Sequence, residues 1–174
     1  MRSTRCSPPA KPAVPAEPVQ PEALARPAGA EAHYRALESL YRAAPINRLF
    51  PSQLEIVEAG FARIRFSITP DVYHAAGAAH GTSYFKMLDD AAFYACNSLV
   101  SDRFLLTTAF NLLFTRPMTG GEVIAEGRWI SGRRRVLIAD ARLIDSEGEE
   151  AARGTGTFMR SAIPLAGLPG YAAP

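Results

Sequence analysis

With 174 residues, 48% hydrophobic and 21% charged, the chain can form one domain with a sizeable core, and its composition excludes disordered, collagenous and disulfide-rich classes. The formal net charge of +2 resides in residues 1 to 30, where Arg2, Arg5, Lys11 and Arg26 outnumber Glu17 and Glu22; residues 31 to 174 are neutral overall. A neutral domain offers no broad field to nucleic acid or an anionic membrane, so neither partner is expected.

Cys6 falls in the leading segment and Cys96 in an expected helix. They provide neither a disulfide framework nor a Cys/His cluster, which points to a reducing compartment and no metal. No run approaches the ~20 apolar residues of a membrane span. The start, Met1 to Pro9, lacks the apolar stretch of a secretory signal. A cytoplasmic location is the expectation.

Residues 1 to 30 hold seven of the fourteen prolines and few large apolar side chains. Such a segment buries too little surface to offset its ordering entropy, which predicts a flexible Pro/Ala-rich tail. It reads either as a docking arm or as an extension without a role. Residues 31 to 45 form the next element, an N-terminal helix, with Tyr34, Leu37, Leu40 and Tyr41 at helical spacing and Pro45 as its stop. The main domain is then expected over residues 46 to 163, with a C-terminal tail from 164 to 174.

Within that domain, Gln53 to Ala59 and Phe61 to Ile68 alternate with period two and read as strands joined at Gly60. Thr82 to Leu99 is the one long helical segment. Four more strands are expected over Phe104 to Arg116, Glu122 to Ile130, Arg134 to Ile144 and Glu150 to Arg160. Their turns contain Gly120-Gly121, Ser131-Gly132 and Asp145 to Gly148. Short turns between successive strands imply antiparallel hairpins, so the fold class is α+β: a mainly antiparallel sheet with one central helix across it. The Phe104 to Arg116 strand carries Phe104, Leu106, Phe110, Leu112 and Phe114 on one face and Leu105, Ala109 and Leu113 on the other. One helix cannot cover both faces, and a second subunit is expected to cover part of them.

Chemistry concentrates around the central helix. His80-Gly81-Thr82 opens it, three residues after Gly77. First-turn amides lack intrahelical partners and sit at the positive end of the macrodipole, so the Gly81 amide could hold an oxyanion; equally, Gly and Thr here could simply form a cap. Asp89 projects among Phe85, Ala92, Phe93 and Cys96 at helical spacing. Burial on that apolar face would raise its pKa towards the range of a nucleophile or general base. Alternatively, a neighbouring strand's N–H or hydroxyl satisfies it. Asp90 has Lys86 at i−4 and reads as a surface ion pair whose replacement by Asn is nearly silent. Gly81 and Asp89 are eight residues apart, about 12 Å along one helix, so they can act on one carbonyl only from different subunits.

His80-Gly81, then Asp89, Ala91, Ala95 and Asn97-Ser98-Leu99, followed by Thr107, Phe114-Thr-Arg-Pro117, Gly120-Gly-Glu and Gly154-Thr-Gly-Thr-Phe158, resemble the pattern of PaaI-like hotdog thioesterases over residues 46 to 160. The resemblance implies a hotdog fold, a curved antiparallel sheet wrapped around the long helix. It also implies homodimers with continuous sheets, often paired into tetramers as dimers of dimers, and metal-free hydrolysis of acyl thioesters on CoA or an acyl-carrier protein. CoA would be part of the substrate, with no other cofactor; aryl or medium-chain acyl groups are expected.

The resemblance assigns Asp89 as nucleophile or general base, Gly81 as oxyanion amide and Thr107 as the holder of the attacking water. The chain departs from the family at Thr82, where a second glycine is common, and at His74, where Asn is common. Thr82 either narrows the pocket or caps the helix. His74 either contacts the thioester or is a loop residue, and His80 either joins the site or orients its own turn. For the CoA phosphates Arg116, Arg128, Arg160 and, above all, Arg133, Arg134 and Arg135 are candidates. Tyr84, Phe85, Met87, Phe93 and Tyr94 either line an acyl tunnel or belong to the core. A non-catalytic acyl-CoA sensor and a hotdog hydratase or dehydratase are the alternative functions.

Overall fold

The computed structural model describes residues 29 to 172. The expected Pro/Ala-rich tail therefore lies, up to residue 28, outside the described residues. Helix α1 spans Ala30–Ala43 and is followed by a 3-10 turn, Pro45–Arg48. Strands β1 (Ser52–Glu58) and β2 (Phe61–Ile68) lead to the central helix α2, Gly81–Asn97. Strands β3 (Arg103–Phe114), β4 (Gly121–Ser131), β5 (Val136–Ile144) and β6 (Glu150–Pro164) complete the chain. All six strands form one antiparallel sheet in the order β1-β2-β4-β5-β6-β3, with α2 packed across it in the hotdog arrangement.

The core arises from alternation on one sheet face and a stripe of small residues on the helix. Ile64 and Phe66 of β2, Val123 and Ala125 of β4, Leu137 and Ala139 of β5 and Phe158 of β6 point at α2 and are buried. Facing them, Ala91, Ala92, Ala95 and Cys96 are fully buried on the helix. Gly127 of β4 is where the two layers come closest: a Cβ there would overlap the Ala91 carbonyl and the Ala92 amide nitrogen. The absence of a side chain at this strand position lets the helix backbone rest on the sheet.

Both ends of α2 are tied. At its C-terminal end the buried Asn97 donates from Nδ2 to the carbonyls of Val100 (2.9 Å) and Arg103 (3.2 Å), and its Oδ1 accepts from the Leu105 amide (3.2 Å). These bonds aim β3 back along the helix. The Asn97 carbonyl also accepts from His33 Nε2 of α1 at 3.0 Å. Helix α1 in turn docks on β1, where Glu38 accepts from the Ile56 amide (2.8 Å) and the Tyr41 hydroxyl meets Ser52 Oγ (2.6 Å).

Two expectations need correcting. The segment after residue 164, expected as a tail, packs as far as it is described. Leu165 and Tyr171 are buried, the Tyr171 hydroxyl meets His33 Nδ1 at 2.8 Å, and Gly170 lies against Ala43. Apolar anchors spaced six residues apart are too sparse for a periodicity signal, so the sequence pattern hides this packing. Strand β3 also fails to alternate evenly. A bulge between Thr107 and Ala109 shifts its register, so Phe110 and Phe114 turn towards Phe85 and Tyr84 of α2, on the same side as Thr107. Strand β3 lies at one edge of the sheet, with Leu106, Leu113 and Phe114 exposed.

The seating of α2 on Gly127 predicts that Gly127→Ala forces backbone apart rather than a flexible side chain. It should lower unfolding free energy by about 3 kcal/mol or more in urea titration; a loss within ~1 kcal/mol would show that the contact does not set the helix position.

Candidate active site

The helix start is built by His80. Its Nδ1 accepts from the Thr82 amide at 3.1 Å and lies 2.7 Å from the Thr82 hydroxyl, while its carbonyl accepts from the Ser83 amide at 2.9 Å. His80 and Thr82 are thus each other's cap partners, and Thr82 is not part of the cavity wall around Gly81. With the second and third amides taken up, the Gly81 amide is the one left at this turn for an outside acceptor. Phe114 is packed beside it: a Cβ at Gly81 would sit 3.1 Å from the Phe114 ring.

Gly81 lines an open cavity of about 430 Å³ together with His74, Tyr84, Phe114 and Arg116. His74 Nδ1 accepts from the Ala76 amide at 3.0 Å, which leaves Nε2 carrying the proton of the neutral ring. His74 can therefore donate a hydrogen bond, as the amide of an Asn would. Arg116 is on the same wall but engaged in an ion pair with Asp145.

Asp89 lies two turns further along α2, on a second cavity of about 260 Å³. The Thr107 hydroxyl of β3 donates to both carboxylate oxygens, at 3.0 and 3.3 Å. Burial pushes the Asp89 pKa up to about 6; the Thr107 bond and Lys86 pull it down, and Asp90 pushes it up. The carboxylate is half-buried against Phe93, Phe104 and Leu106, as its apolar flanks predicted.

Asp90 is not the surface pair that its spacing suggested. Its side chain and that of Lys86 are only 20% and 13% exposed. They pair, while Lys86 Nζ also donates to Asn47 Oδ1 at 2.8 Å, and the Tyr41 hydroxyl bonds to Asp90. Sequence reading missed Tyr41 and Asn47 because they come from α1 and the turn after it. The i−4 Lys–Asp spacing looks the same whether or not another element covers it.

Candidate phosphate ligands are dispersed. Arg133, Arg134 and Arg135 are exposed at the β4–β5 turn. There Arg133 stacks on Trp129, whose amide binds Gly60, and Gly60 in turn binds Ser98 just beyond α2. Within one chain they are therefore at the helix end opposite Gly81. Arg160 pairs with Asp102, and Arg128 stacks on Phe61 at 3.7 Å. Arg116, in contrast, lines a cavity together with His74 and Gly81. Phe85 is 44% exposed, whereas Tyr84, Met87, Phe93 and Tyr94 are buried; of the five, Phe93 and Tyr94 line the Asp89 cavity. Among the described residues no group of three or more His, Cys, Asp or Glu side chains could hold a metal, and no helix is long and apolar enough to cross a membrane.

Residues 76 to 152 match the family model described as the thioesterase superfamily. That span runs from just ahead of α2 into β6 of the hotdog fold. A Saccharolobus solfataricus protein provisionally named as an esterase is 27% identical over 107 residues, covering 62% of this chain and 71% of that protein. The PaaI protein of the E. coli phenylacetic acid degradation operon superposes with a TM-score of 0.71 at 18% identity, over 78% of this chain and 97% of that one. A point mutant of the phenylacetic acid degradation protein PaaI from Thermus thermophilus gives 0.62 at 21%, over 68% and 100%. At these identities the superpositions establish the shared fold.

The adjacent carboxylates should respond in opposite ways to substitution. Because the folded pKa of Asp89 is raised, the folded state holds its proton more tightly than the unfolded chain. The cost of ionising it grows as pH rises from the unfolded value near 4 through about 6, and is full above that. Asp89→Asn should therefore stabilise the protein by on the order of 1–3 kcal/mol near neutral pH, with the gain vanishing below about pH 4, in thermal melts at both values. Asp90→Ala should instead destabilise by roughly 1–3 kcal/mol, since it strands the Lys86 ammonium; an unchanged melting temperature would return Asp90 to the status of a surface charge.

Proposed function

We propose that this protein hydrolyses acyl thioesters, acyl-CoA above all, at a site shared between two subunits. The observation that carries the reading is the half-buried Asp89 carboxylate, with its raised pKa and its Thr107 partner, on the wall of an apolar cavity. An ionised carboxylate in such a setting is basic enough to take a proton from water and is available in that form above about pH 6. Thr107 donates its hydroxyl proton to Asp89, so its oxygen lone pairs can accept from that water and fix its place.

The water attacks the thioester carbonyl carbon while Asp89 takes its proton. The carbonyl oxygen gathers negative charge and is met by a helix-start amide. The C–S bond then breaks, CoA leaves as thiolate, and the free acid remains. Direct attack by the Asp89 carboxylate, giving an anhydride that water opens, uses the same residues and yields the same products. Within one chain the Gly81 amide is about 12 Å from Asp89 along α2, so the amide at the reacting carbonyl is assigned to Gly81 of the partner subunit. His74 Nε2–H, on the cavity of that amide, adds a second donor. Arg116 is the candidate for a CoA phosphate, in exchange for Asp145. The exposed apolar residues of β3 support dimerisation along that edge.

Release of free CoA thiol from aryl and aliphatic acyl-CoAs tests the activity. Asp89→Asn should lower kcat by ~10² or more with KM little changed, as loss of a group used in the transition state requires. In the wild type kcat/KM should fall as pH drops below about 6, because protonated Asp89 is no base. Equal kcat in variant and wild type would remove Asp89 from the chemistry. Tight acyl-CoA binding without turnover would make the protein a sensor instead.

A further inference from the structure

The cavity beside Asp89 has three walls, and one of them comes from residues ahead of the segment that matches the thioesterase model. Helix α2 contributes Phe93 and Tyr94, and β3 contributes Phe104, Leu106 and Thr107. The third wall is the chain from Tyr41 to Asn47, where α1 stops and Pro45 bends the backbone into a 3-10 turn. Asn47 is held at both ends: its Nδ2 donates to the Tyr41 carbonyl at 2.6 Å, and its Oδ1 accepts from Lys86 Nζ at 2.8 Å. Lys86 is itself paired with Asp90. The turn is therefore bolted to the same helix that carries Asp89, three residues away from it.

The polar groups of this wall satisfy one another, so they ask little of a ligand. What remains is apolar: the aromatic surface of Phe93, Tyr94 and Phe104, with the Phe93 ring centre 5.0 Å from that of Tyr94, edge-on, and 5.0 Å from that of Phe104, tilted, and the side chain of Ile46, 45% exposed at the cavity wall. An apolar recess in which the Asp90 carboxylate is paired with Lys86 and the Asp89 carboxylate meets only the Thr107 hydroxyl suits an acyl group whose carbonyl rests at Asp89.

We propose that Ile46 and Asn47, pinned through Lys86, form the end wall of the acyl-binding site, so that the turn after α1 sets the size of the acyl group accepted. This rests on the hydrolase reading above. Ile46 is the residue that limits length, and Asn47 and Lys86 are positioning residues that keep it there.

The test compares kcat/KM for acetyl-, hexanoyl- and decanoyl-CoA in the wild type, Ile46→Trp, Ile46→Ala and the control Leu49→Ala. Leu49 is 70% exposed and does not line the cavity. A pocket contact is worth tenfold or more per group gained or lost. Ile46→Trp should therefore cut the decanoyl-to-acetyl ratio at least ~10-fold and Ile46→Ala should raise it, while Leu49→Ala keeps the wild-type ratio. Ratios that stay within about twofold of wild type in both Ile46 variants, with turnover intact, overturn the proposal. A wild type that cleaves none of these thioesters would sink the hydrolase reading separately. The wall is then judged from calorimetric Kd values for S-alkyl-CoA thioethers of the same lengths, whose length dependence must still shift in Ile46→Trp.

Discussion

The constraint on which everything else rests is the contact between the backbone of α2 and Gly127. A helix separated from a sheet by ordinary side chains can slide or tilt by the width of a methyl group. Here the Ala91 carbonyl lies where a Cβ would be, and the helix residues around that contact, Ala91, Ala92, Ala95 and Cys96, are small and fully buried. Small side chains leave few alternative packings, so the helix has one depth and one rotation. The His80 cap and the Asn97 hub then fix where it begins and ends. A rod of 17 residues, about 25 Å long, thus presents Gly81 and Asp89 at a set spacing.

That rigid seating also sorts two neighbouring acids into different chemical settings. A step of one residue turns the side chain by about 100° around the helix axis. Asp90 points beneath α1, where an ammonium and a phenol receive it; Asp89 points towards β3, where a single threonine hydroxyl does. Burial raises both pKa values, but only Asp89 faces a cavity without a direct cationic partner. Asp90 and Lys86 act on Asp89 with opposite sign, so the pair next door leaves burial as the dominant influence. Tyr41 and Tyr94 are pushed up by the same burial and by Asp90, which keeps both phenols neutral on the cavity wall.

Much of this was legible in the amino-acid pattern, because the information was local. Alternation gave β2 its limits at Phe61 and Ile68, and the glycine-bearing turns separated β4, β5 and β6. Helical spacing around Asp89 foretold its half-buried state, and the possibility that a strand hydroxyl satisfies it is realised by Thr107. What stayed hidden depended on elements far apart in sequence. Lys86 and Asp90 look like any exposed i, i+4 pair until Tyr41 and Asn47 are laid over them. The bulge after Thr107 leaves no composition signal, yet it decides that Phe110 and Phe114, rather than Ala109 and Leu113, face the helix. The run Arg133 to Arg135 advertises charge but says nothing of its place, which proves to be beyond the C-terminal end of α2.

The separation of the two half-sites has a consequence for how the fold could control its proposed chemistry. Gly81 with His74 and Asp89 with Thr107 occupy different cavities on one rigid helix, and no side-chain rotation closes a gap of about 12 Å. The exposed Phe114 ring that packs on Gly81 belongs to the same edge strand that carries Thr107. An association that covers β3 would therefore act on both half-sites at once, drying the surface beside the Gly81 amide and lowering the dielectric around Asp89. Since electrostatic stabilisation of an oxyanion strengthens as water is excluded, under the proposed mechanism a separated protomer would lack both the partner's amide and the medium in which that amide works.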